Sequence, residues 1–145
     1  MAAVDRGWIG RTSQPTTVVV EAGAVRRFAD AIGDPDPLYR DGEFARGVSQ
    51  GPIQAPPTFA VALATEVAGL DIPLEPGLVH GEQEFIYRRP LYVGDVLTLQ
   101  TEIKDVYEKQ GRSGRLKFIV RETVATDQQG AEVVRFRTVS IVRPV

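Results

Sequence analysis

The chain has 145 residues, of which 43% are hydrophobic and 25% charged, with a net charge of −2. That length suits one compact domain over residues 1–145 with a core of its own, and the charge balance speaks against a general nucleic-acid binder, which needs a basic face. Cysteine is absent, which removes disulfides, thiol nucleophiles and thiolate metal sites; the one histidine, His80, leaves no multi-histidine metal site within a chain. The N-terminal stretch MAAVDRGWIG has no basic segment followed by a long apolar run, and no apolar run approaches a membrane span, so a cytoplasmic protein is the default expectation.

No repeat, low-complexity tract or linker interrupts the chain. Thr16–Val20 is a short β-branched run and a predicted strand. Ala22–Ile32 places Val25, Phe28, Ala29 and Ile32 on one helical face, with Arg26, Arg27 and Asp30 on the other. Gly33, Pro35 and Pro37 end that helix in a turn. Asp41–Arg46 reads as one further helical turn, and Gly47–Pro57 as a Gly/Pro-rich loop. Thr58–Ala68 is apolar on nearly all sides, the mark of a helix buried all round, and Gly69 is a plausible C-cap.

Four segments of strand character follow: Leu78–Arg89, Val96–Tyr107, Leu116–Thr126 and Glu132–Val142. Leu97, Leu99 and Ile103 share one face of the second, and Leu116, Phe118, Val120 and Val124 share one face of the third. A period of two implies an antiparallel sheet with one face buried. Gly111–Gly114 and Gln128–Gly130 are predicted hairpin turns. One apolar helix against a long antiparallel sheet is an α+β layer fold.

The segment Gly33-Asp34-Pro35-Asp36-Pro37-Leu38-Tyr39-Arg40-Asp41 resembles the catalytic loop of the MaoC-like dehydratases and (R)-specific enoyl-CoA hydratases, usually Gly-Asp-x-Asn-Pro-Leu-His. The resemblance continues through Gly51–Ala64 and returns at Phe85–Leu97, which is similar to the family's strand ending in Arg-Pro-(hydrophobic)-x-x-Gly-Asp-x-Leu. It implies the hot-dog fold, in which the sheet curls around a long buried helix. It also implies reversible addition of water to a trans-2-enoyl thioester, without a cofactor or metal. That reaction needs a base for water, an acid for the α-carbon, and N–H donors for the thioester oxygen. In the family, Asp and His of the loop serve water, and a His-Gly pair at the start of the buried helix serves the oxygen.

This sequence departs from the pattern at both places. Asp34 holds the aspartate position, but Tyr39 stands where the histidine belongs, and a phenol with an ordinary pKa near ~10 is a poor base at neutral pH. The His-Gly pair corresponds to Ala55-Pro56, and neither Pro56 nor the following Pro57 has an N–H to give. The two losses resemble the N-terminal MaoC dehydratase branch, where an Ala-Pro-Pro-Thr-Phe stretch such as residues 55–59 is typical. That branch includes the substrate-binding subunit of heterodimeric (3R)-hydroxyacyl-carrier-protein dehydratases. The resemblance therefore implies an acyl-CoA or acyl-carrier-protein ligand, and a homodimer or a heterodimer with a catalytic MaoC-like subunit.

The residues so singled out are Asp34, Tyr39 and His80 for catalysis, and Pro56, Pro57, Thr58, Phe59, Ala62, Arg88 and Arg89 for the substrate. Each also has a structural reading. Asp34 in Gly-Asp-Pro is ordinary turn chemistry, and Asp36 and Asp41 read as loop and N-cap residues. His80, the one side chain titrating near neutral pH, sits at a strand start, where a histidine is usually structural; facing a pocket, it is the natural substitute acid or base. Ala60, Ala62 and Ala64 leave room for an acyl chain, or else pack tightly on the sheet. Arg88 and Arg89, with Arg112, Arg115 and Lys117, grip carrier phosphates or only solubilise a strand face. Besides a binding subunit, the alternatives are a self-sufficient homodimeric hydratase using Asp34 with Tyr39 or His80, a non-catalytic acyl-thioester binder, and a hot-dog thioesterase, against which the MaoC-like loop speaks.

Overall fold

The computed structural model describes residues 6–144 apart from 68, 71 and 73–76, and gives Glu66 by its backbone alone. Its period-two segments become β1 (Thr16–Val19), β2 (Leu78–Tyr87), β3 (Val96–Gly111), β4 (Gly114–Thr126) and β5 (Glu132–Val142). They form one antiparallel sheet in the order β1-β3-β4-β5-β2, with β1 and β2 at its edges. The N-terminal segment prolongs pairing along the β3 edge past β1. Thr12 bridges Glu102, and the buried Ser13 accepts from the Thr101 N–H at 2.8 Å and donates its own N–H to Thr101 O at 2.7 Å.

Helix α1 (Ala22–Ala31) buries Val25 and Ala29, as its periodicity predicts. Ile32, expected on the same face, is instead its C-cap and 51% exposed. There Gly33, at φ +73°, lets the Asp34 N–H reach Ala29 O at 2.9 Å and its own N–H reach Asp30 O at 3.1 Å, a Schellman ending that turns the chain into the following loop. Helix α2 (Gly42–Ser49), capped by the Asp41 carboxylate at the N–H groups of Glu43 and Phe44, runs longer than the single turn predicted. Gly47 and Val48 thus belong to α2 rather than to the loop before Pro57.

The central helix differs more from expectation. A turn occupies Pro57–Phe59, α3 spans Ala60–Leu63, and a 3-10 turn continues over Ala64–Glu66; Ala68 lies outside the described residues. The Thr65 hydroxyl bonds Ala62 O at 2.7 Å, three residues back, which suits the tighter winding. The segment is not buried all round. Ala60 and Leu63 are buried, Val61, Ala62 and Ala64 are half-buried, and Thr65 is exposed.

Phe59, Ala60 and Leu63 pack on Leu97, Leu99, Ala125, Val134 and Phe136 to form the main core. Trp8, Ile103, Val106, Ile119 and Val142 form a second cluster. Leu97, Leu99 and Ile103 are all 0% exposed, as the pattern of β3 predicts. On β4 the pattern misleads. Leu116, Phe118, Val120 and Val124 do share a face, but the helix-facing side carries Ile119, Arg121, Thr123 and Ala125.

Candidate functional site

The loop that carries the family resemblance is built from successive side-chain-to-backbone bonds. The Asp34 carboxylate accepts the Asp36 N–H at 3.0 Å, and the Asp36 carboxylate accepts the Leu38 N–H at 2.9 Å, starting a 3-10 turn over Pro37–Tyr39. Arg40 braces the loop from behind, donating to the Asp30 carboxylate at 2.7 Å and to Asp34 O at 2.8 Å. Asp34 therefore performs turn chemistry in this fold.

Next to this loop, Gln54 and Ala55 are stitched to two other parts of the chain: the Gln54 N–H donates to Leu38 O at 3.2 Å, and the Ala55 N–H donates to Leu91 O at 2.8 Å. A cavity of about 360 Å³ opens here, lined by Tyr39, Gln54, Ala55, Pro57, Tyr87 and Arg88, together with Arg89, Pro90 and Leu91. The Tyr87 hydroxyl donates to Pro57 O and ties the start of the helix to β2.

The cavity has no good base, and residues 55–57 at the start of the helix offer it no free backbone N–H. Burial raises the Tyr39 pKa, and the nearby Asp34 and Asp36 carboxylates raise it further, so Tyr39 is a neutral phenol at physiological pH. Burial pushes Tyr87 up to about 12. The Ala55 N–H is already given to Leu91, and Pro56 and Pro57 have none.

Arg89 is held by Asp95 through two bonds, at 2.8 and 3.1 Å, and its guanidinium lies 5.8 Å from the Tyr92 ring centre. That bond raises its pKa. Arg88 is looser, with its side chain 63% exposed and its Nε 3.3 Å from Glu132. Of the two, Arg88 is the less constrained side chain.

The remaining predicted residues scatter. Phe59 is 2% exposed and stands edge-on to Phe28 at 5.5 Å, a core position. Pro56 is fully buried, and Thr58 is exposed on the turn. Ala62 is half-buried against the core and lines neither this cavity nor the larger one below. His80 does not join Asp34 and Tyr39. It sits seven positions before Tyr87 on β2, on the order of 20 Å along a strand. There it faces a second cavity of about 570 Å³ between the far end of the helix and the sheet. That cavity also contains Arg121, which no motif in the sequence marks.

Among the described residues no helix is long and apolar enough to cross a membrane. A family model described as the FAS1-like dehydratase domain region matches residues 7–136. A UPF0336 protein of Thermobifida fusca (strain YX) is 38% identical over 149 residues, covering 97% of this chain and 95% of its own length. Another, from Leifsonia xyli subsp. xyli, is 29% identical over 153 residues, covering 99% and 98%. Among solved structures, the C-terminally truncated HadBC (3R-hydroxyacyl-ACP dehydratase) complex of Mycobacterium tuberculosis gives a TM-score of 0.79 at 26% identity, over 92% of this chain and 96% of that one. The (R)-hydratase of A. caviae involved in PHA biosynthesis gives 0.70 over 93% and 96%, at 21% identity, a likeness of fold alone. The chain thus has the hot-dog fold shared by these dehydratases and hydratases, and it belongs to the FAS1-like dehydratase domain family.

Proposed function

We propose that the chain is the acyl-thioester-binding subunit of a (3R)-hydroxyacyl-thioester dehydratase or enoyl-thioester hydratase. In this reading it acts in the cytoplasm beside a second hot-dog subunit with an intact Asp/His loop. The observation that carries the proposal is the loop cavity. It is lined by residues of the motif blocks that carry the family resemblance, yet Tyr39 is held neutral and two prolines, Pro56 and Pro57, lead into the turn before α3. Each missing group, base and oxyanion donor, typically contributes on the order of a hundredfold in rate. In this role Pro57, Arg88 and the loop receive the thioester, and the partner supplies the chemistry. The likeness to the HadBC complex supports a two-subunit arrangement.

The edge strand β2 supports it as well. It is ten residues long, paired on one side by β5, and carries exposed Leu78 and Ile86, whereas the other edge, β1, has four residues. A long unpaired edge with apolar side chains is suited to pairing with another sheet. The test is hydration of crotonyl and longer enoyl thioesters by the purified chain, alone and with a partner of similar size bearing a Gly-Asp-x-Asn-Pro-(hydrophobic)-His loop, with the assembly mass measured by light scattering. The expected result is weak or no turnover alone, restored by the partner. Family-like turnover by the chain alone, abolished by Asp34→Asn or His80→Ala, would establish the self-sufficient enzyme instead.

A further inference from the structure

Residues 109–117, at the turn between β3 and β4, read Lys-Gln-Gly-Arg-Ser-Gly-Arg-Leu-Lys: four cations and no acid. The rest of the chain carries thirteen cations against nineteen acids, so the run reverses the local sign of charge. It forms the tip of a hairpin closed by the pair Gly111 and Gly114. β4 pairs with β5 only from Lys117 onward, so residues 114–116 project past that neighbour. Lys109, Arg112 and Arg115 are exposed, and Lys117 is half-buried. Arg115 meets Glu108 at 3.0 Å; the other three pair with no described carboxylate. None of the four lines either cavity.

These cations do not converge. Lys109 lies over the stacked rings of Tyr107 and Phe118, 5.5 Å from each, on one face of the ribbon. Arg115 and Lys117 stand with Glu108 on the other face, and Arg112 is in the turn. Charges spread around a projecting tip do not form the compact site that a single phosphate needs; they suit a surface bearing several carboxylates. A nucleic acid running past the tip would meet a chain of net negative charge. A membrane would meet nothing to insert, because Tyr107, Leu116 and Phe118 are all half-buried on the sheet.

The tip also lies at a defined end of the sheet. Lys117 is opposite Val142, which is opposite Leu78 at the start of β2. The loop cavity is at the other end, beside Tyr87. Tyr87 aligns through Val134 with Ala125, eight positions along β4 from Lys117, or ~26 Å. Two subunits joined at their β2 edges about a two-fold axis run those strands antiparallel, so the start of one lies beside the end of the other. From β4 to the partner's β2 is then three strand spacings, or ~14 Å.

We propose that the β3–β4 tip is a docking surface for the acidic face of an acyl-carrier protein, and that it serves the loop cavity of the partner subunit rather than this chain's own. The second half rests on the reading of the chain as a binding subunit; the first does not. Lys109, Arg112, Arg115 and Lys117 thereby favour a protein-borne thioester over the coenzyme A form.

The probe is a fluorescently labelled acyl-carrier protein of net negative charge, titrated with the full chain at low salt and at about 0.5 M salt. Wild type should bind saturably and lose about tenfold or more in affinity at the higher salt. Lys109→Gln/Arg112→Gln/Lys117→Gln, checked for folding by circular dichroism, should bind about tenfold or more weakly at low salt. Arg11→Gln/Arg26→Gln/Arg27→Gln removes as many exposed cations elsewhere and should bind as wild type does. If the first variant does not fold, Arg112→Glu in the turn gives the same readout. In the two-subunit complex the first variant should raise KM for the crotonyl carrier protein and leave that for crotonyl-CoA within about twofold. Absence of wild-type binding, equal weakening by the control variant, an equal rise of both KM values, or binding to phosphatidylglycerol vesicles but not to the carrier overturns the proposal. Carrier binding without hydration of either thioester leaves the surface standing and refutes the binding-subunit reading; hydration of crotonyl-CoA without carrier binding does the reverse.

Discussion

Ala60 and Ala64 are one helical turn apart, yet replacing each by leucine should have opposite consequences. Ala60 is 0% exposed and sits in the core cluster with Leu97, Leu99 and Phe136. Three added carbons have no free volume there, and overpacking of this kind costs about 1–3 kcal/mol. Ala64 is half-buried on the wall of the 570 Å³ cavity. The same three carbons enter space that already exists, and burying them offers up to ~0.8 kcal/mol each against the side-chain entropy lost. For a chain of this length, Ala60→Leu should lower Tm by roughly 3–10 °C, whereas Ala64→Leu should leave Tm unchanged or raise it slightly. Thermal unfolding by circular dichroism measures both. Ala62, between them, packs on the core, so an acyl channel running along all three alanines is not the expectation. Equal losses of Tm at positions 60 and 64, or the larger loss at 64, would refute the assignment of one to the core and the other to a cavity wall.

Asp95→Ala removes two bonds from Arg89 and one from the Tyr92 N–H, and should cost about 2–3 kcal/mol in urea unfolding; a loss under half of that would mean the Arg89 clamp is not structural. Asp34→Ala loses the acceptor for the Asp36 N–H and should cost about 1 kcal/mol, with Asp34→Asn milder because its amide oxygen still accepts; hydration by the two-subunit complex should survive both changes, and its collapse would return Asp34 to catalysis. Tyr87 has a folded pKa raised to about 12, so its contribution to stability is complete below the ordinary phenol pKa near ~10 and is lost as pH rises from there toward the folded value. Tyr87→Phe should delete a phenol that ionises near pH 12 from an ultraviolet titration and soften the alkaline loss of stability. The Glu132 carboxyl is held below its ordinary value by Arg135 and then Arg88, so what it contributes is present above that ordinary value and is lost as pH falls through the depressed one; Glu132→Gln should flatten that acid limb.

The strands and α1 were legible because their apolar spacing is set by local packing. β5 covers the predicted residues end to end, and β3 buries Leu97, Leu99 and Ile103 as read. The central helix was over-read. Its alanines and valines are apolar in every direction, so periodicity alone could not show that α winding ends at Leu63 and that Thr65 faces outward. The loop site was legible in part. Tyr39, Pro57, Arg88 and Arg89 meet at one cavity although Pro57 and Arg88 are thirty-one positions apart, because the family's motif blocks mark segments that the fold brings together. His80 could not be placed, since no spacing in the sequence states which end of β2 lies beside the loop.

Arg121 was missed for a physical reason that bears on its role. In β4 the even-numbered positions Leu116, Phe118, Val120 and Val124 carry the apolar signal, so the pattern names that face as the buried one. The helix-facing positions are Ile119, Arg121, Thr123 and Ala125, which read as a solvent face. A strand whose inner face is more polar than its outer face runs against the usual economy of a half-buried sheet. The polarity is also confined. Ala125 lies at the end of β4 that packs on α3, whereas Arg121 and Thr123 line the cavity and meet Ser140 and Thr101 across the strands. Local conflicts between pattern and burial of this sort concentrate where a fold serves a ligand rather than its own stability. The same inversion that hid Arg121 from the sequence implies that Arg121→Met, which restores the inner face to hydrocarbon, should raise the stability of the chain in urea unfolding, and a stability at or below that of the wild type would refute the reasoning.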